Sequence, residues 1–315
     1  MITNNLCEHP AVKAWSLLNS NFLIPETIEE IRDMNASKAY VLRLVGAGEN
    51  GSSVIAKNTH TSKAMIEWFI YENALISLSK TTLHCYGYLK DKNNKSWIFI
   101  EDAGGISFSF SNIHHASLAI DWLAELHTSV PQLENMPDRG LGYYYSMLID
   151  AHNKIMTYLS DNAFRDEDIN LLRTIVFQLE YLKYRWPSVH SLYEQMPKGM
   201  IHGDFRAKNL RIRSDTNENI LLVFDWEFAG WGLPGIDMYR LDPENYWLKV
   251  RDHWSNTTFE NVIQLSSLGK LLSCLNAINW ESTSLGNDDL DKTLENMKVY
   301  KLYLADAIRD NEKFF

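Results

Sequence analysis

Apolar and polar positions change rhythm once along the chain, near residue 104. Before that point the rhythm is mostly of period two. Ala39–Val45 (AYVLRLV) sets Tyr40, Leu42 and Leu44 against Val41, Arg43 and Val45, which predicts a strand. Ser53–Lys57 (SVIAK) predicts another. The intervening GAGENGSS is turn chemistry, so the two form a hairpin. Pro25–Met34 reads as a strand ahead of them. Residues 62–79 carry apolar side chains at 65, 66, 69, 70, 75, 76 and 78, the period of a helix. Strands at about 83–90 and 96–101 complete a β-β-β-α-β-β order. The last strand runs into Glu101-Asp102-Ala103-Gly104-Gly105, whose glycines suit a hinge.

Beyond residue 104 the period lengthens. Residues 116–128 predict an amphipathic helix, as do stretches within 143–160, 167–185, 259–280 and 288–310. Gly199–Asn209 reads as a loop, and Leu210–Arg213 and Ile220–Phe224 as two short strands joined by SDTNEN. The class is α+β.

Composition adds exclusions. The 315 residues are 45% hydrophobic and 22% charged, which is globular rather than disordered, collagenous or coiled-coil. A net charge of −10 disfavours nucleic acid and acidic membranes as partners and is compatible with a cationic small molecule. Cys7, Cys85 and Cys274 are odd in number and widely spaced, as expected of reduced thiols. No signal peptide and no membrane-length apolar run is evident, so a soluble, cytoplasmic protein is expected.

The chemistry concentrates in His202-Gly203-Asp204-Phe205-Arg206-Ala207-Lys208-Asn209 and, after the hairpin, Phe224-Asp225-Trp226. An antiparallel hairpin returns its second strand to the start of its first. The oxygens of Asp204, Asn209 and Asp225 can therefore converge. Oxygen donors suit a hard cation such as Mg²⁺, which keeps waters and phosphate among its ligands. A carboxylate left beside such a metal can take a hydroxyl proton, which is what phosphoryl transfer to an alcohol requires. Turns use Asp and Asn freely, but the spacing H-x-D-x-x-x-x-N, hairpin, Asp is far more specific than an Asp-rich turn.

HGDFRAKN followed by FDWE resembles the Brenner-type motif of the aminoglycoside phosphotransferases and their choline-kinase-like relatives. The resemblance implies a bilobal protein-kinase-like fold. Residues 1–101 would form a β-rich nucleotide-binding lobe and 102–315 a mainly helical catalytic and substrate-binding lobe, with nucleotide between them. It implies Asp204 as catalytic base and Asn209 and Asp225 as metal ligands. Lys57 sits like the lysine of V-A-I-K and would hold the α- and β-phosphates. Glu72 would pair with it, in preference to Glu67, because Leu75 and Leu78 follow in an E-x-x-L-x-x-L manner. Backbone groups near Ile100 to Asp102 would meet the base. Asp237, in GLPGIDMYR, would be structural, His127 would pack or hydrogen-bond, and His202 would anchor the catalytic loop.

Gly46-x-Gly48-x-x-Gly51 matches the spacing of a phosphate loop. It lies too close to Lys57 to leave room for an intervening strand, so it is assigned to a hairpin turn. The phosphate-covering loop becomes Met34–Lys38, with Asn35 and Ser37 as candidates. His114-His115 and Cys7-Glu8-His9 lack a second pair at metal spacing, no G-x-S-x-G elbow supports a hydrolase, and the ten tryptophans read mostly as core. The expected reaction is Mg²⁺-dependent transfer of the γ-phosphate of ATP or GTP to a hydroxyl. The first-choice acceptor is an aminoglycoside-like antibiotic or other polar natural product. The alternatives are a housekeeping kinase for choline, ethanolamine or a sugar, and a nucleotide-binding pseudokinase. A protein kinase is disfavoured, because WEFAGWGLPGIDM after Asp225 has no activation-segment character.

Overall fold

The computed structural model describes residues 1–18, 22–32, 39–160, 164–215, 218–286 and 290–315. The chain divides into two compact units. One comprises Met1–Glu125, Ser129–Pro137 and His202–Ala229, the other Leu126–Thr128, Asp138–Ile201 and Gly230–Phe315. These units do not coincide with a boundary at residues 101 and 102, because the segment bearing Asp204 and Asp225 groups with the amino-terminal strands.

In the first unit, helix α1 (Pro10–Leu18) precedes strands β1 (Thr27–Arg32), β2 (Tyr40–Val45) and β3 (Val54–His60). Helix α2 (Thr61–Phe69) follows, then strands β4 (Cys85–Lys90) and β5 (Lys95–Glu101). The strands form one antiparallel sheet in the order β1-β2-β3-β5-β4. The period-two pattern gives the sheet two unlike faces. Leu42 and Leu44 sit opposite Ala56 and Val54 and, with Phe99, bury against Trp15 of α1. Trp15 meets Phe99 at 5.3 Å between ring centroids and Tyr86 edge-on at 5.1 Å. The alternate residues Val41, Arg43, Ile55, Lys57 and Ile100 therefore share the other face and line a cavity. The amino-terminal helix carries no motif, and the strand pattern alone does not announce it.

The turn between β2 and β3 is the glycine-rich segment. Gly46 and Gly51 adopt φ of +76° and +78°, a region that costs a side-chain-bearing residue energy. The expected single helix over 62–79 is shorter: α2 gives way to a π turn over Ile70–Ala74 and a 3₁₀ turn over Leu75–Ser77.

Strand β6 (Ile106–Ser107) follows β5, and helix α3 (Ile113–Ser129) is capped by Asn112, whose Oδ1 accepts from the His114 and His115 N–H groups. In the second unit, strand β7 (Asp138–Arg139), helices α4 (Leu141–Tyr158) and α5 (Asp166–Glu194) and strand β8 (Gly199–Ile201) come first. The start of the expected loop 199–209 is thus a strand. The hairpin β9 (Leu210–Asp215) and β10 (Glu218–Val223) returns to the first unit and pairs with β6. Gly105, at φ +67°, is obligatory there, because a Cβ would collide with the Ile212 carbonyl.

Strand β11 (Gly230–Gly232) joins β7 and β8. Helices α6 (Gly235–Met238), α7 (Pro243–Val250), α8 (Phe259–Ser282) and α9 (Leu290–Glu312) complete the second unit. Its core is leucine-rich and centred on α4, α5, α8 and α9. Within it Asp237 and Tyr246 hold His127 at Nε2 (3.3 Å) and Nδ1 (2.7 Å), all three buried, which gives Asp237 and His127 a structural setting. Among the described residues no helix is long and apolar enough to cross a membrane.

Candidate active site

The site is assembled from β3, α2, the 202–209 loop and the end of β10, all within the first unit. The inward alternation of β3 buries Lys57. Its ammonium bonds Glu67 Oε2 at 2.9 Å, Asp225 Oδ1 closely, and lies 3.4 Å from Glu227 Oε2. Burial alone would push the Lys57 pKa down, but the Asp225, Glu67 and Glu227 carboxylates offset it and hold it well above the usual lysine value. Burial would likewise raise Asp225, yet Lys57 beside it keeps that carboxyl at about 2. For Glu67 burial prevails over Lys57 and the carboxyl is raised.

Glu72 is not the partner of Lys57. It lies on the exposed face of the π turn, whereas Glu67 is fully buried beneath the lysine. Five residues of regular helix turn a side chain by about 140° net, so only one of the two glutamates can face β3. Leu75 is buried as the leucine pattern suggested, but it packs without bringing Glu72 inward.

His202 joins the two halves of the motif. It is fully buried, accepts the Asp204 N–H at Nδ1 (3.2 Å), and with Nε2 donates to the Phe224 carbonyl (3.0 Å). This fixes the Asp204 loop against the strand that ends in Asp225. Asp225 adopts φ +72°, a conformation uncommon for a side-chain-bearing residue. Asn209 Nδ2 donates to the Asp204 carbonyl (2.9 Å) and Oδ2 (3.0 Å). Its Oδ1 accepts nothing among the described residues. Arg206 Nε meets Asp204 Oδ1 at 2.6 Å and Lys208 Nζ meets Oδ2 at 2.9 Å.

Asn209 and Asp225 open on a cavity of about 500 Å³ lined also by Lys57, Glu67 and Ile100. At its rim the Asp102 region is more engaged than the sequence suggests. The Asp102 N–H donates to Ser53 O (3.3 Å), and Arg213 takes the carbonyls of Asp102 (2.9 Å) and Ala103 (3.0 Å) and the Glu101 carboxylate (2.6 Å). Arg43 holds the Asp102 side chain at 2.6 Å. Ala103, not Asp102, is left with an unpaired backbone N–H among the described residues lining the cavity. Asn35 and Ser37 lie outside the described residues. Sequence reasoning missed Arg43, Arg213 and Glu227. Arg43 was visible only as a charge inside an apolar alternation.

A match to the phosphotransferase enzyme family spans residues 86–254, more than half of the chain. The chain belongs to the phosphotransferase enzyme family. Solved structures agree in fold. The GDP and kanamycin complex of APH(2")-IIia superposes with a TM-score of 0.60 at 13% identity, covering 93% of this phosphotransferase and 98% of that chain. Plasmodium vivax ethanolamine kinase gives 0.53 at 14% identity over 87% and 82% of the two chains. A microcompartment-associated aminopropanol kinase gives 0.56 at 12% identity over 94% and 96%. No curated protein matches the sequence. The phosphotransferase therefore has the protein-kinase-like α+β fold, with an antiparallel sheet in its amino-terminal part and helices in its carboxy-terminal part.

Proposed function

We propose that this phosphotransferase moves the γ-phosphoryl group of ATP or GTP to a hydroxyl of an aminoglycoside-like antibiotic or another polar natural product. The observation that carries the reading is the convergence of Asp204, Asn209 and Asp225 beside the buried Lys57–Glu67 pair. Lys57, Lys208, Arg43 and Arg211 bring positive charge to a cavity of nucleotide size, as a polyphosphate requires.

In this reading the cavity takes the nucleotide, with its base towards Ile100 and the Ala103 N–H and its phosphates towards Lys57. The acceptor hydroxyl gives its proton to Asp204 as its oxygen bonds the γ-phosphorus. The bond from that phosphorus to the bridging oxygen breaks, and the nucleoside diphosphate leaves with the electron pair. Glu67 keeps Lys57 aimed at the phosphates. Asn209 Oδ1 and the Asp225 carboxylate form a sparse, all-oxygen donor pair that fits Mg²⁺, an ion that completes its shell with water and phosphate. Bound there, Mg²⁺ supplies charge neutralisation for the transferring group.

The net charge of −10 agrees with a cationic acceptor. A small amino-alcohol metabolite is the second reading, supported by the similarity to ethanolamine and aminopropanol kinases. A nucleotide-consumption assay over hydroxylated antibiotics, amino alcohols and sugars, with ATP and GTP and with or without Mg²⁺, decides between them. Acceptor-dependent diphosphate release lost in Asp225→Ala is expected. Nucleotide binding with no acceptor in the whole panel would favour a pseudokinase.

A further inference from the structure

Helix α9 carries two apolar stripes. The inner one, Leu294, Met297, Leu304, Ala307 and Ile308, is buried in the core of the second unit, where α9 packs on α5 and α8. The outer one is Val299, Leu302 and Tyr303, spaced at helical period on one face and 46%, 60% and 53% exposed. A helix that docks on its own core by one face has no folding reason to present a second. The patch widens onto α5. There Gln178 Nε2 donates to the Lys301 carbonyl (3.1 Å), the Tyr181 hydroxyl donates to Glu312 (3.2 Å), and Phe177 and Tyr184 stand exposed.

The charges beside this stripe say what covers it. Counted outward from Leu302 in both directions, Lys298 mirrors Asp306, Glu295 mirrors Arg309, and Lys292 mirrors Glu312. Every mirror pair is of opposite sign. Nearer the centre, Val299 mirrors the apolar Ala305 and Lys301 mirrors Tyr303. The side chains of Glu295, Lys298, Asp306 and Arg309 all reach solvent. When two copies of a helix pack antiparallel about a two-fold axis, residues equally far on either side of the axis lie opposite each other. An axis at Leu302 therefore sets each cation of the stripe against an anion of the other copy. A parallel pair would set like charge on like. The charges of the stripe also cancel, so an anionic lipid surface or a nucleic acid, which selects a single sign, gains nothing from it.

We propose that the outer face of α9 binds a second copy of this chain, antiparallel and with the two-fold axis at Leu302. The interface is isologous, so each contact occurs twice. Val299, Leu302 and Tyr303 supply the apolar centre, with Phe177 and Tyr184 of α5 flanking it. The charges supply register and direction rather than most of the affinity, because exposed ion pairs are individually weak. The 23 residues of α9 span about 34 Å. One helix and its flank make an interface at the small end of the stable range, so the dimer dissociates with a Kd on the order of 10 µM.

The experiment is sedimentation velocity on the full chain from about 1 to about 200 µM, a range that brackets the expected Kd. Wild type should pass from monomer to dimer across that range. Leu302→Glu, which places two like charges at the axis, should stay monomeric with an unchanged melting temperature. Glu295→Lys and Arg309→Glu should each weaken the dimer about tenfold, because either one sets like charges opposite each other twice. The two changes combined in one chain should restore it. Mixing the two single variants should also restore association, as a heterodimer, since Glu295→Lys in one copy then faces Arg309→Glu in the other. A loss caused only within one helix would not be repaired by mixing. A wild type that is monomeric at about 200 µM, a dimer indifferent to Leu302→Glu, or single variants that fail to complement each other would overturn the proposal.

Discussion

Lys57 on β3 and Glu67 on α2 meet through a 2.9 Å ion pair in which both side chains are almost wholly buried. Glu72 stays exposed. Glu67→Gln is therefore expected to raise the nucleotide KM and lower kcat, because Lys57 then leans further onto Asp225 and away from phosphate. It should cost about 1–3 kcal/mol of stability, the scale of a weakened buried hydrogen bond to a charge. Glu72→Gln should stay within about 0.5 kcal/mol of wild type and keep full activity, as an exposed substitution does. Paired kinetics and denaturant melts check this, and an inactive Glu72→Gln protein would reverse the assignment.

That pair also marks where the sequence stops being legible. The strands, the hairpin turn and the long helices follow from apolar period, and the Asp204–Asn209–Asp225 cluster from motif spacing. The choice between Glu67 and Glu72 does not, because it depends on helix phase at the point where α2 opens into a π turn, and both glutamates sit in plausible patterns. Arg213 is illegible for a different reason. It reaches the 101–103 segment from a strand more than a hundred residues later, and no local pattern encodes such a contact.

Arg213 fixes two carbonyls and a carboxylate of the segment that ends β5. Arg213→Ala should free that segment and raise the nucleotide KM about tenfold, equivalent to ~1.4 kcal/mol. The kcat should stay near wild type, because the phosphate end of the cavity is untouched. Arg213→Lys should rescue only in part, since an ammonium cannot reproduce the fork. Steady-state kinetics in both nucleotide and acceptor separate this from a general loss of fold.

Acid titration probes Lys57 and Asp225. The Asp225 carboxyl is depressed from 3.8 to about 2, so it contributes stability above pH 3.8 that is lost as pH falls towards 2. Lys57 is raised above 10.5, so its contribution is complete below that pH and lost only at higher alkalinity. The Asp225 contribution to the stability difference between wild type and Asp225→Asn should be fully present at neutral pH and shrink as pH falls below about 4 towards 2. Melting temperatures across that range are the measurement. A difference that disappears near neutrality would mean the pair is not formed.

Gly46 and Gly51 hold left-handed conformations in the β2–β3 turn, away from the cavity lining. Replacing both by Ala should cost about 1–2 kcal/mol per position through backbone strain alone. Gly46→Ala also presses its Cβ within 3.2 Å of the Glu26 side chain. Nucleotide affinity of the folded fraction should be unchanged. A stable double variant that lost nucleotide would return these glycines to the role of a phosphate loop.

Asp204→Asn addresses the chemical step itself. Asn retains the shape of the side chain and can still accept from Asn209 Nδ2 through its amide oxygen, so the loop anchored by His202 should persist. What it loses is the capacity to take a proton and the charge that draws Arg206 and Lys208. Loss of a general base typically lowers kcat by about 10²–10⁴-fold. Nucleotide affinity should hold, because in the proposed reaction Asp204 takes the acceptor proton and does not hold the donor. The check is kcat on the identified acceptor beside nucleotide titration of the same preparation. A near-normal kcat would remove Asp204 from the proton transfer. A parallel collapse of nucleotide affinity would instead place it in holding the donor.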